Sequence, residues 1–138
     1  MTGYSVPDVQ RAVLARLKSD AGVSALVAAR VYDTAPTDAK LPCVAINQID
    51  MTPDNTADTD GATVNIALSV FTVGARARVE AHDISARIID ALNDRVAPLA
   101  LAHGTAWQCR LLSAVVFRTE DQRGGAHGVI RFEVRTQS

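Results

Sequence analysis

Aromatic residues are scarce in this 138-residue chain, with one Trp, two Tyr and three Phe making up 4% of it. The core therefore falls to Val, Ile and Leu within an apolar share of 48%. Lysine is scarcer still: only Lys18 and Lys40 stand beside the arginines. Charge of one sign is also missing. Charged residues are 21% of the chain and the formal net charge is −1, which excludes a wholly disordered polyelectrolyte and gives no basic excess of the kind a dedicated nucleic-acid binder carries. No apolar run reaches membrane-spanning length. The opening Met1-Thr2-Gly3-Tyr4 has neither the basic nor the apolar region of a secretory leader, so the expectation is a protein made and used in a cytoplasm. The two cysteines, Cys43 and Cys109, lie far apart in apolar, strand-like runs and are expected to be buried free thiols rather than a disulfide.

Groups that could converge on catalysis or a metal are equally sparse. His82, His103 and His127 stand alone, with no second His at a short metal-ligand spacing. Asp58-Thr59-Asp60-Gly61 imitates part of a calcium loop, but placing Gly61 at the turn position puts Ala67 where the final oxygen ligand belongs. Gly124, Gly125 and Gly128 lack the Lys-Ser/Thr pair and the strand–helix setting of a phosphate cradle, and read as a flexible hairpin tip. No serine has the surroundings of a nucleophile elbow, and the carboxylates are scattered. No catalytic residue, metal or cofactor is indicated, and a non-enzymatic protein is expected.

What is present is a clear succession of elements. Ser5 and Asp8 around Pro7 fit a helix start, and Val9, Val13, Leu14 and Leu17 recur at helical spacing until Ala21-Gly22. A short helical turn over 24–29 follows, with Leu26 and Val27 inward. Asp33 to Pro42 has loop chemistry, with prolines at 36 and 42. Cys43 to Ile49 reads as a strand with Val44 and Ile46 on one face and Ala45, Asn47 and Ile49 on the other. Met51 to Gly61 reads as an exposed polar arm. Ala62 to Val73 is the most regular strand, with Val64, Ile66, Leu68 and Val70 sharing a face. Ala77, Ala81, Ile84, Ile88, Ala91 and Leu92 form the apolar stripe of an amphipathic helix. After a connector containing Pro98, strands over 107–119 and 127–135 flank the polar turn Glu120 to Gly125. The implied architecture is α+β, one domain over 1–138, with a mostly antiparallel four-stranded sheet and two main helices packed on one face.

Two long polar connections on a compact core, and basic residues that are nearly all arginine (Arg76, Arg78, Arg110, Arg118, Arg123, Arg131 and Arg135 among them), suit a subunit that makes multi-bonded contacts with neighbours. A plain solvated surface accounts for the same residues.

The order of features resembles a known family. Val13, Leu14 and Leu17 of the first helix lead to Val27 and Arg30-Val31-Tyr32. Ala35-Pro36, Leu41-Pro42, a short strand and a polar loop ending at Asp60-Gly61 come next. The strand Val64 to Phe71, the Ala-rich helix to Leu92 and two closing strands complete the chain. It looks like the tail-terminator or tail-completion proteins of long-tailed phages and gene transfer agents, with Arg30-Val31-Tyr32 and Leu41-Pro42 the most telling motifs. The resemblance implies a virion structural subunit, assembled in a bacterial host cytoplasm, at the head-proximal end of a tail. It implies a homo-oligomeric ring, a hexamer, that ends the tail tube and joins it to the head. Its partners would be further copies of itself, the major tail tube protein and a head-completion or neck protein. DNA would meet it only in transit, and no membrane is involved. The loop residues Asp54, Asp58, Asp60, Arg118 and Arg123 become candidates for assembly or channel contacts, the aspartates because negative walls let DNA pass without sticking. Three alternatives stay open: another neck subunit, a small non-enzymatic ligand-binding α+β module, and an enzyme with a pocket built between subunits.

Overall fold

A computed structural model describes residues 5–53, 61–92, 99–119 and 124–137. Three helices and five strands follow one another as α1 (Val6–Ser19), α2 (Ala21–Val27), β1 (Val31–Tyr32), β2 (Cys43–Pro53), β3 (Gly61–Val73), α3 (Ala77–Leu92), β4 (Thr105–Thr119) and β5 (Gly125–Gln137). The strands form one sheet in the order β1-β2-β3-β5-β4. β1 pairs with β2 in parallel, and every other pairing is antiparallel. The α+β class holds, but the expected four antiparallel strands become a five-stranded mixed sheet; α1 and α3 are the two main helices, and the short turn expected over 24–29 is α2, set a few residues earlier. β1 is missing from sequence because two residues are too few to show alternation.

Helix α1 buries Val9, Val13 and Leu17 completely, as their three- and four-residue spacing demands, while Leu14 is only half-buried. Ser5 stands at the N-cap position without a side-chain capping bond; its backbone carbonyl accepts from Val9 N at 3.0 Å. Its hydroxyl instead accepts from Thr136 Oγ1 at 3.3 Å, tying the helix start to the far end of β5. Ala21-Gly22 does not end a helix but begins one. Asp20 separates α1 from α2, and its Oδ2 accepts from Val23 N at 2.9 Å.

All helices lie on one face of the sheet. Val64, Ile66, Leu68 and Val70 of β3 and Ile130, Phe132 and Val134 of β5 meet the α3 stripe of Ala77, Ala81, Ile84, Ile88, Ala91 and Leu92, and all are buried. Gly128 is not part of a hairpin tip. It lies within β5 opposite Val70, and a Cβ there would stand 3.4 Å from Ser85 Oγ of α3. That is ordinary van der Waals contact between strand and helix. Gly125 also belongs to β5, leaving Gly124, at φ +66°, as the one glycine of the three outside the strand and in the left-handed region.

The register corrects one face assignment. Between Ile46 and Gln48 the β2–β3 ladder shifts by a residue, so Asn47 is the extra residue of a bulge. Beyond it the parity inverts: Ile49 faces Ile66 and Met51 faces Val64, which puts both on the helix side with Val44 and Ile46. The polar arm is correspondingly shorter than expected, because Met51 to Pro53 continue β2 and Gly61 opens β3. Cys43 and Cys109 are both buried and form no disulfide, and burial pushes the Cys43 thiol pKa up against a smaller opposing pull from Arg30.

Candidate assembly interface

The sheet face opposite the helices has no layer over it among the described residues. Strand parity places Phe71, Ser69, Ala67, Asn65 and Thr63 of β3 there, beside His127, Val129, Arg131, Glu133 and Arg135 of β5. Phe71, His127 and Phe117 are direct cross-strand partners on three adjacent strands. The imidazole stacks on Phe71 at a centroid distance of 4.6 Å and tilts against Phe117 at 4.9 Å. Its Nε2 is 2.9 Å from Ser69 Oγ, which in turn accepts from Asn47 Nδ2 at 3.0 Å. With Asn47 donating to the hydroxyl, the Ser69 proton is free to point at a neutral ring nitrogen. Burial between the rings lowers the His127 pKa below its ordinary value, which agrees with that state. A shallow depression of about 180 Å³ lies on the same face, lined in part by Gln48, Asp50, Asn65, Ala67, Leu112 and Arg131.

Strand β4 forms one edge of the sheet and, among the described residues, is paired with β5 alone. α3 and the core cover Ala106 and Cys109; from Arg110 to Val115 every residue is exposed. Much of that surface is apolar. Trp107 is 52% exposed, Val115 53%, Leu112 45%, Phe117 44% and Leu111 41%. Two register shifts, at Trp107 and Leu112, push large side chains out of the regular ladder. Arg135 sits over the Trp107 ring at 5.6 Å from its centroid. Leu111 and Ala114 share parity with the helix side, Val115 and Phe117 with the open side. The second half of β4 is thus apolar on both faces and, among the described residues, largely uncovered, with only Val116 packing partly against the core. A strand of that kind is normally found between two others, and a free one invites another chain. Of the aromatic residues among those described, Phe71, Trp107 and Phe117 lie on this face and edge, whereas only Phe132 is among the core residues. Aromatic enrichment combined with exposure is the composition of an interface.

Of the residues singled out from sequence, Arg118 is exposed on β4 opposite Ala126, near the end of the same edge. Asp54, Asp58, Asp60 and Arg123 lie outside the described residues. The apolar edge itself was missed, although Leu111-Leu112-Ser113-Ala114-Val115-Val116-Phe117 abandons the alternation that β5 keeps. His82 is exposed on α3, and His103 Nδ1 is 3.3 Å from Asp8 Oδ2 at the surface. Among the described residues no three His, Cys, Asp or Glu side chains gather where a metal could bind, and no helix is long and apolar enough to cross a membrane.

Comparison with known proteins agrees with an assembly role. A chain in the virion of a native gene transfer agent particle superposes with a TM-score of 0.85 at 28% identity, over 98% of this chain and 99% of that one. The gp17 protein of bacteriophage SPP1 superposes with a TM-score of 0.59 at 25% identity, over 96% of this chain and 90% of that one. No curated protein sequence matches. The family model for tail completion protein gp17 matches residues 11–137, nearly the whole chain, and the protein belongs to that family of virion structural proteins.

Proposed function

We propose that this tail completion protein closes the head-proximal end of a tail tube as a ring of identical subunits, a hexamer, and presents that end to the head. The observation that carries the reading is the long β4 edge, apolar on both faces and largely exposed in its second half, in a chain whose family is a virion tail family. Ring closure needs a heterologous contact, in which one surface of each copy meets a different surface of the next. A sheet with two dissimilar edges supplies two such surfaces. The open face with its Phe71–His127–Phe117 ladder supplies a further apolar patch for the tube or the neck protein. On this reading the aspartates between β2 and β3, Asp54, Asp58 and Asp60, fringe the passage and keep DNA moving by repulsion.

The test is the length of tails made without this chain. Termination predicts tubes of uncontrolled length with no attached heads. Tubes of normal length that merely lack heads would reassign the protein to the neck.

A further inference from the structure

Besides β4, the sheet has a second free edge. β1 covers β2 only at Val44 and Ala45, and among the described residues no strand pairs with the outer side of β2 from Ile46 to Pro53. Asn47, Gln48, Asp50, Thr52 and Pro53 along it are exposed. The two edges carry opposite charge. Asp50 is the one charged residue along the free stretch of β2, from Ile46 to Pro53, whereas Arg110 and Arg118 are the two along β4.

Strand direction fits the two edges together. β2, β3, β5 and β4 alternate in sense, so β2 and β4 run opposite ways within one subunit. A neighbour added head to tail in the same orientation brings its β2 antiparallel to β4, the stronger and commoner pairing. We infer that β4 of one copy pairs with β2 of the next, so that the sheet continues from subunit to subunit. The occupant of the apolar edge is a second copy of this chain, approaching with its acidic side. Arg110 and Arg118 then face a strand bearing Asp50, and the neighbour's body covers Leu111, Leu112 and Val115. A copy presenting β4 to β4 would instead set arginines against arginines. This inference rests on the ring reading for its biological setting, but the pairing itself can be tested separately.

Two variants of the full chain isolate the edges. Leu112→Lys with Val115→Lys disables β4, and Asp50→Lys with Thr52→Lys disables β2; all four positions are exposed, so both variants should keep the wild-type circular dichroism and melting temperature. Solution masses are measured for wild type, for each variant and for an equal mixture, under the condition in which wild type assembles. The expected result is assembly by wild type, monomers for each variant alone, and a species of twice the monomer mass only in the mixture. That species forms because one intact β4 finds one intact β2 and growth stops there.

A β2 variant that self-associates through β4, or a mixture that stays monomeric, would overturn the pairing. Rings that survive in both variants would overturn it too while leaving the tail-closing reading in place. Open filaments from wild type, abolished by either variant, would support the pairing and count against the closed ring. A wild type that never assembles, concentrated or with tube protein, would overturn both.

Discussion

Deleting Asn47 is a demanding test of how this sheet is built, because the bulge decides which face of β2 is buried beyond it. In the native register Ile49 and Met51 face Ile66 and Val64 on the helix side. Removing the extra residue turns Gln48, Asp50 and Thr52 inward and Ile49 and Met51 outward, unless the hairpin slips or the end of β2 detaches. Both apolar side chains are half-buried, so each forfeits about half of the ~1.5–3 kcal/mol of full burial. Placing Asp50 or Gln48 against the core adds roughly 1–3 kcal/mol, capped by the option of unpairing the strand end. The deletion should therefore cost about 3 kcal/mol, a large share of the roughly 5–15 kcal/mol typical of a domain. Asn47→Ala keeps the residue count and loses only the 3.0 Å bond to Ser69, worth about 1 kcal/mol because Asn47 itself is exposed and Ser69 keeps His127 as a partner. Urea unfolding followed by circular dichroism separates the two. If deletion and Asn47→Ala fall within about 0.5 kcal/mol of each other, the parity account of β2 is wrong.

Two further perturbations test other parts of the structure. A Cβ on Gly125 would lie 2.7 Å from the Thr72 carbonyl oxygen and 2.8 Å from Thr119 Oγ1, so Gly125→Ala should cost about 1–3 kcal/mol in a thermal melt, even though φ at this position is not left-handed. An unchanged melting temperature would mean that β3 and β5 do not approach as closely as described. Burial lowers the pKa of His127 in the folded state, so the unfolded chain binds the proton more readily and stability falls as pH drops below about 6.5, through the folded pKa. Above that range the contribution is constant. His127→Gln should flatten the acid limb of melting temperature against pH, and an unaltered slope would assign the acid sensitivity to other groups.

Much of the fold was legible because its signals are local. The α3 stripe and the β3 alternation each fall within one element, and every position in them is buried as its spacing requires. What escaped depended on partners distant in sequence. The bulge at Asn47 leaves no mark within β2 itself; it shows only when β3 is laid beside it. β1 is too short to show as a strand in the sequence, yet its residues stand out there as a motif. Arg30 Nε donates to the Pro42 carbonyl at 2.8 Å, Arg30 O accepts from Val44 N at 3.0 Å, and Val31 is buried. Arg30-Val31-Tyr32 and Leu41-Pro42 are therefore two sides of one contact that seats the edge of the sheet. For the assembly surface, sequence pointed to charged loops, and most of those residues lie outside the described part of the chain. The described surface that looks most like an interface is the apolar β4 edge, whose message lies in a missing alternation rather than in any motif.

Closure of identical copies into a ring on the tail tube is read from solution mass by light scattering, with and without the tube protein. A hexameric ring gives a discrete species at about six times the 14.7 kDa subunit mass, alone or once the tube is supplied. A chain that remains a monomer or dimer in both conditions forms no such ring.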